Sequence, residues 1–219
     1  MAVYLTGGGD QEEFTLLDKQ FMAALPDGAQ IGLLAQASDD EQDALERIEY
    51  YFTDKKIKSI NLITDPQTDL SQYDALMIEG GNTFNLIRAV REINFFNSIR
   101  EFYKSGKSLY ADSAGAIILG SDVNTAFLGD DGDEDELKLQ DYRGLDIITP
   151  FCVHAHATSD EFDQLQDLLY QTGSPILALA EECGIKIHDN QIEVFGSHDL
   201  WILDFEGRKN IAPREKYNF

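Results

Sequence analysis

Cysteine is scarce. Only two occur in 219 residues, Cys152 and Cys183, both in apolar surroundings and without CxxC spacing. That excludes a disulfide framework and argues against a thiolate zinc site, and both are expected to act as small buried hydrophobes. Long apolar runs are also missing: none reaches the roughly 18–20 residues that a membrane helix requires. The amino terminus, Met1-Ala2-Val3-Tyr4-Leu5-Thr6-Gly7-Gly8-Gly9, has no basic n-region and runs directly into a strand-like pattern. No secretory leader is expected, and a cytoplasmic location is. Basic residues are few, 17 against 40 acidic, for a net charge of −23. A field of that sign repels nucleic acid backbones and anionic membranes. An acidic ligand would need a local cationic pocket to hold it. No linker, internal repeat or low-complexity spacer divides the chain. One domain over residues 1–219 is therefore expected, long enough to bury a full core.

What is present is a globular composition, 43% hydrophobic and 11% aromatic. Short apolar runs at residues 3–6, 31–35, 59–63, 75–78 and 108–111 read as buried strands. Between them lie helical patterns at 12–24, 41–52, 83–92 and 95–105; the last is apolar at Phe95, Phe96, Ile99, Phe102 and Tyr103, close to the 3.6-residue period. Such alternation implies a mostly parallel sheet covered on both faces, a flavodoxin-like, doubly wound α/β architecture. Further on, residues 145–156 read as a strand and 160–170 as a helix. Short strands are expected at 176–180, 185–187, 192–195 and 201–203, some as antiparallel hairpins. Residues 122–140 form an acidic loop with the run Gly129-Asp130-Asp131-Gly132-Asp133-Glu134-Asp135-Glu136. It lacks the glycine and glutamate positions of a calcium hand, so no metal is expected, though a cation at 129–136 is left open.

Three segments carry candidate chemistry. In Leu109-Tyr110-Ala111-Asp112-Ser113-Ala114-Gly115-Ala116-Ile117 a strand ends, a serine follows, and small residues precede an apolar helix. A nucleophile elbow needs that pattern, because the serine occupies a strained turn whose neighbours must let backbones pass closely. Ala111 stands where glycine is usual. The plain alternative is Ser113 as a helix cap. In Ile78-Glu79-Gly80-Gly81-Asn82-Thr83 a strand runs into a Gly-Gly turn whose N–H groups can approach a ligand, with Asn82 or Thr83 suited to cap the next helix. In Phe151-Cys152-Val153-His154-Ala155-His156-Ala157 two of the four histidines close an apolar strand. An imidazole is what a serine hydroxyl needs to become nucleophilic; a metal pair or a structural histidine are the rivals. His188 and His198 read as surface residues.

Taken in order, these segments resemble peptidase E (aspartyl dipeptidase) and its relatives, cyanophycinase among them. The shared pattern is a Gly-Gly-Asn-Thr turn (80–83), a Ser-Ala-Gly-Ala elbow (113–116) and a histidine after an apolar strand, with Leu5-Thr6-Gly7-Gly8-Gly9 similar to the family's opening turn. The resemblance spans residues 3 to about 205. It implies a fold akin to class I glutamine amidotransferases, with extra carboxyl-terminal strands, and peptide hydrolysis by a Ser–His–acid triad without metal or cofactor. Ser113 takes the nucleophile's place and His156 the base's, with His154 kept as a second candidate because Ala155 replaces the family's proline. The N–H groups of Gly81 and Ala114 take the oxyanion, and Gly80, Asn82 and Thr83 complete the binding turn. The acid is Glu181, with Asp122 and Asp130 as alternatives. An amino-terminal aspartate preference would call for a cation in the pocket, for which Arg88 and Arg143 are the nearby candidates. A short peptide is the implied partner, and a homodimer is open. Related amide, ester or isopeptide hydrolysis, and a catalytically silent binding protein, are the competing readings.

Overall fold

The computed structural model describes residues 1–38, 40–53, 56–129 and 132–219. The first half supplies β1 (Val3–Thr6), β2 (Ala29–Leu34), β3 (Ile57–Leu62), β4 (Ala75–Ile78) and β5 (Ser108–Asp112), all paired in parallel. The second half adds β6 (Cys152–His154), β7 (Ile176–Leu179), β8 (Cys183–His188), β9 (Gln191–Gly196), β10 (Leu200–Asp204), β11 (Gly207–Ile211) and β12 (Lys216–Asn218). They form an eight-stranded sheet, in the order β12-β9-β8-β1-β5-β4-β2-β3, and a four-stranded sheet, β11-β10-β7-β6. The large sheet is mostly parallel, with β8, β9 and β12 added antiparallel beyond β1.

Alternation along the parallel strands decides which helix covers which face. Val3, Leu5, Leu76, Ile78, Leu109 and Ala111 point one way and are covered by α3 (Thr83–Glu92), α4 (Phe95–Lys104) and α5 (Ala114–Ile118). Tyr4, Ile31, Leu33, Met77 and Tyr110 point the other way, against Leu17 and Phe21 of α1 (Thr15–Ala24) and Ala44 and Ile48 of α2 (Glu41–Tyr51). Helix α4 shows how the pattern works. Phe95, Ile99 and Phe102 are buried while Glu101 and Lys104 pair in solvent. Each such buried side chain is worth about 1.5–3 kcal/mol. Caps set the helix starts: Asp40 accepts the N–H groups of Gln42 and Asp43 below α2, a contribution of about 1 kcal/mol. Helix α6 (Phe162–Thr172) lays Leu165, Leu168 and Leu169 on the small sheet and ends at Gly173, φ +73°.

Residues 145–156 depart from the expected strand; only Cys152–His154 pairs in a sheet. The apolar residues before it are held by the end of α5 instead, with the N–H groups of Leu145, Asp146 and Ile147 donating to the carbonyls of Ile118, Gly120 and Leu119. Their hydrophobicity reflects burial of an irregular segment, which periodicity does not distinguish from a strand. The hairpin β8–β9 turns through Asp189 and Asn190, both at positive φ.

Candidate active site

Strand β1 ends where three distant segments meet. The carbonyl of Thr6 accepts the N–H of Ser113 at 3.1 Å, that of Gly7 accepts the N–H of His156 at 2.9 Å, and that of Gly8 accepts the N–H of Glu182 at 2.9 Å. Thus one glycine turn ties together the elbow, the histidine loop and the turn after β7.

Ser113 lies between β5 and α5 with φ 49° and ψ −115°, a left-handed conformation that costs a non-glycine residue about 1–3 kcal/mol. Its side chain makes no capping bond to the helix. Instead Oγ lies 2.8 Å from Nε2 of His156, and Nδ1 of that ring lies 3.0 Å from Oε1 of Glu181. A capping serine would send its oxygen to its own helix, so this geometry separates the two readings of the motif. Small neighbours are required here: a Cβ on Gly115 would overlap the carbonyl of Ile78, and one on Gly81, φ +119°, would overlap that of Ala37. Gly80 packs against Cβ of Ser113.

His154 faces elsewhere. Its Nε2 meets Oε2 of Glu161 at 2.8 Å and its Nδ1 the carbonyl of Thr125 at 3.1 Å, in a buried pair. Burial pushes the Glu161 carboxyl up, but the hydrogen bonds from His154 and the Thr158 N–H outweigh it and hold the group below its usual range. Asp122 accepts the N–H of Asn124, its backbone forms an isolated antiparallel bridge with that of Arg143, and among the described residues it makes no hydrogen bond to His156; Asp130 lies outside the described residues. Asn82 caps α3 through the N–H of Asn85 at 2.9 Å. Behind the elbow, Asp112 takes the hydroxyl of Thr6, and Glu79 pairs with Arg47 at 2.9 Å. Burial first, then the neighbouring Asp112, raises the Glu79 carboxyl above its usual range.

Ser113, His156 and Glu181 open into a cavity of about 680 Å³ whose walls include Gly81, Thr83 and the His154–Glu161 pair. Arg88 pairs with Glu92 on the exposed side of α3, and Arg143 lines a separate cavity with Arg91 and Arg100. Neither reaches the Ser113 cavity. Three of its wall residues are not expected there: Asp133 stands out only within the acidic run 129–136, and Asp160 and Glu161 carry no signal as site residues in the sequence. They belong to a loop and a helix start, and only the fold turns them inward.

The class this arrangement defines is an α/β protein with a serine, an imidazole and a carboxylate in hydrogen-bond series at the carboxyl end of a mostly parallel sheet. The model of peptidase family S51 matches residues 3–195. The chain belongs to that family and is a peptidase, a hydrolase whose serine type is consistent with the family. Among relatives, the Peptidase E of Shewanella sp. (strain W3-18-1) is 24% identical over 172 residues, covering 72% of this chain and 68% of its own. That of Nostoc sp. (strain PCC 7120) is 22% identical over 198 residues, covering 84% and 79%. A probable alpha-aspartyl dipeptidase of Drosophila melanogaster is 21% identical over 174 residues, covering 74% and 70%. Two solved structures share the fold: a peptidase from an acI-B1 Actinobacterium (TM-score 0.71, 17% identity, 100% of this chain and 96% of that one) and a putative Peptidase E from Listeria monocytogenes (TM-score 0.67, 16% identity, 89% and 98%). Among the described residues no helix is long and apolar enough to cross a membrane.

Proposed function

We propose that the protein hydrolyses short peptides through an acyl-enzyme formed on Ser113. The observation that carries this reading is the 2.8 Å approach of Ser113 Oγ to His156 Nε2, with Glu181 3.0 Å from the far ring nitrogen. His156 Nε2 takes the hydroxyl proton as Oγ attacks the scissile carbonyl, and Glu181 accepts the Nδ1–H and keeps the ring in that tautomer. The N–H groups of Gly81 and Ala114 stabilise the oxyanion. His156 then protonates the leaving amine, and water, deprotonated by the same ring, releases the acyl group. The elbow strain supports the assignment, since φ 49° at a non-glycine residue persists only where the surroundings enforce it. The doubly wound, amidotransferase-like description of a single domain belongs to the same reading, as does a cytoplasmic protein with no nucleic acid partner, which the net charge of −23 favours. An amino-terminal aspartate would need a cation in the cavity, and no described lysine or arginine lines it.

Ser113→Ala is expected to abolish hydrolysis of a dipeptide panel and labelling by a fluorophosphonate, with the thermal midpoint retained. Turnover at the wild-type rate in that variant would refute the assignment.

A further inference from the structure

We propose that this site selects peptides whose amino-terminal residue is cationic, of the lysine or arginine type, and discriminates against aspartate; the inference rests on the serine peptidase reading above. The cavity that holds Ser113 is lined by four carboxylates, Asp133, Asp160, Glu161 and Glu181, and by no described lysine or arginine. Two of the four are engaged. Glu161 is held by His154 and Glu181 by His156. Asp160 is exposed at the rim, and its one side-chain hydrogen bond among the described residues is with the hydroxyl of its neighbour Ser159 at 3.3 Å. Asp133 is anchored: its N–H donates to the carbonyl of Ala126, and its Oδ2 accepts the N–H of Thr83 at 2.8 Å. Its other oxygen makes no hydrogen bond with any described residue.

A second, independent feature marks the same wall. Thr83 is fully buried and lines the cavity, yet its Oγ1 has no hydrogen-bond partner among the described residues. Buried hydroxyls are almost always satisfied, so this one points to a ligand group that arrives with the substrate. The visitor must suit both a carboxylate oxygen and a hydroxyl. An ammonium or guanidinium carries only donors and fits both as acceptors. A substrate carboxylate could take the hydroxyl's proton but would face Asp133 and Asp160 within one cavity, in a protein whose overall field already repels it.

The experiment compares kcat/KM for Lys-Leu, Leu-Leu and Asp-Leu at low and high salt, alongside fluorophosphonate labelling of Ser113. The expected order is Lys-Leu above Leu-Leu above Asp-Leu, with Lys-Leu ahead of Asp-Leu by about tenfold or more at low salt and the gap narrowing as salt screens it. Asp133→Asn keeps an acceptor for the Thr83 N–H while removing the charge, and should shrink the Lys-Leu to Asp-Leu ratio by about threefold or more. Asp160→Asn, at an exposed position, should shrink it in the same direction and serves where Asp133→Asn does not fold. Labelling of Ser113 with Asp-Leu cleaved as well as Lys-Leu overturns the inference and leaves the peptidase reading standing. Labelling with none of the three dipeptides cleaved also overturns it. Absence of labelling, with hydrolysis unaffected by Ser113→Ala, overturns both.

Discussion

The imidazole of His156 occupies the space that a side chain on Gly8 would fill: a Cβ built on Gly8 would overlap the ring. His156 itself sits at φ 53°, and Gly8 at φ +88°. The histidine is therefore aimed by contact with a glycine turn from the opposite end of the chain. Gly8→Ala should push the ring off Ser113 and lower kcat/KM by about a hundredfold, the scale expected for a misplacement of about 1 Å. Steady-state kinetics beside a thermal melt check this; unchanged kinetics in a folded variant would mean that the ring is held by other contacts.

Glu181 is the most exposed member of the series, its side chain 63% accessible against 44% for His156. A solvated ion pair contributes little, because water screens it. Glu181→Ala is accordingly expected to lower kcat by only about three- to tenfold, whereas Ser113→Ala is expected to remove turnover. A loss beyond a thousandfold would show that substrate binding buries the acid.

His154 and Glu161 are a contrasting pair, with side chains only 4% and 10% accessible. Removing one partner strands a buried charge, so His154→Ala should cost about 3–5 kcal/mol of stability. Replacing both with apolar residues should recover much of that loss. Urea denaturation measures each. The pH dependence has a definite sign. The Glu161 carboxyl is held below its usual range, so the pair's stabilisation is present above the unfolded carboxylate value of about 4.3 and is lost as pH falls through the lower folded value.

Asp18 behaves in the opposite way. It lies on the buried face of α1, accepting from Tyr110 Oη at 2.7 Å and Gln11 Nε2 at 3.1 Å. Burial nonetheless raises its carboxyl to about 6. The folded state then binds a proton more tightly than the unfolded chain, and stability falls as pH rises from about 4 to 6. Asp18→Asn should abolish that slope and stabilise the protein at pH 7.5 by on the order of 2–3 kcal/mol. Gln11 can turn its amide to meet the new side chain. Melting points at pH 4.5 and 7.5 for the two proteins test this; equal pH slopes would place the carboxyl near its unfolded value.

Much of the architecture is legible in the residue pattern. The strands Val3–Thr6 and Ala75–Ile78 and the helix Thr83–Glu92 fall where residue patterns place them, because apolar periodicity and an Asn cap are local properties of the chain. Ser113 stood out for the same reason, as a serine flanked by residues small enough for a tight bend. Residues 145–151 misled, since an apolar run records burial without recording backbone geometry. Whether His154 or His156 would face the serine, and which of three acids would meet the imidazole, lay beyond any local pattern. Those choices depend on β1 ending beside both the histidine loop and the turn after β7, a juxtaposition of residues about 150 or more positions apart. The wall of carboxylates beside Thr83 arises likewise, from a loop and a helix start that only the packed chain brings to one cavity. Sequence determined the elements and the chemical types available, and the folded chain alone decided which of them touch.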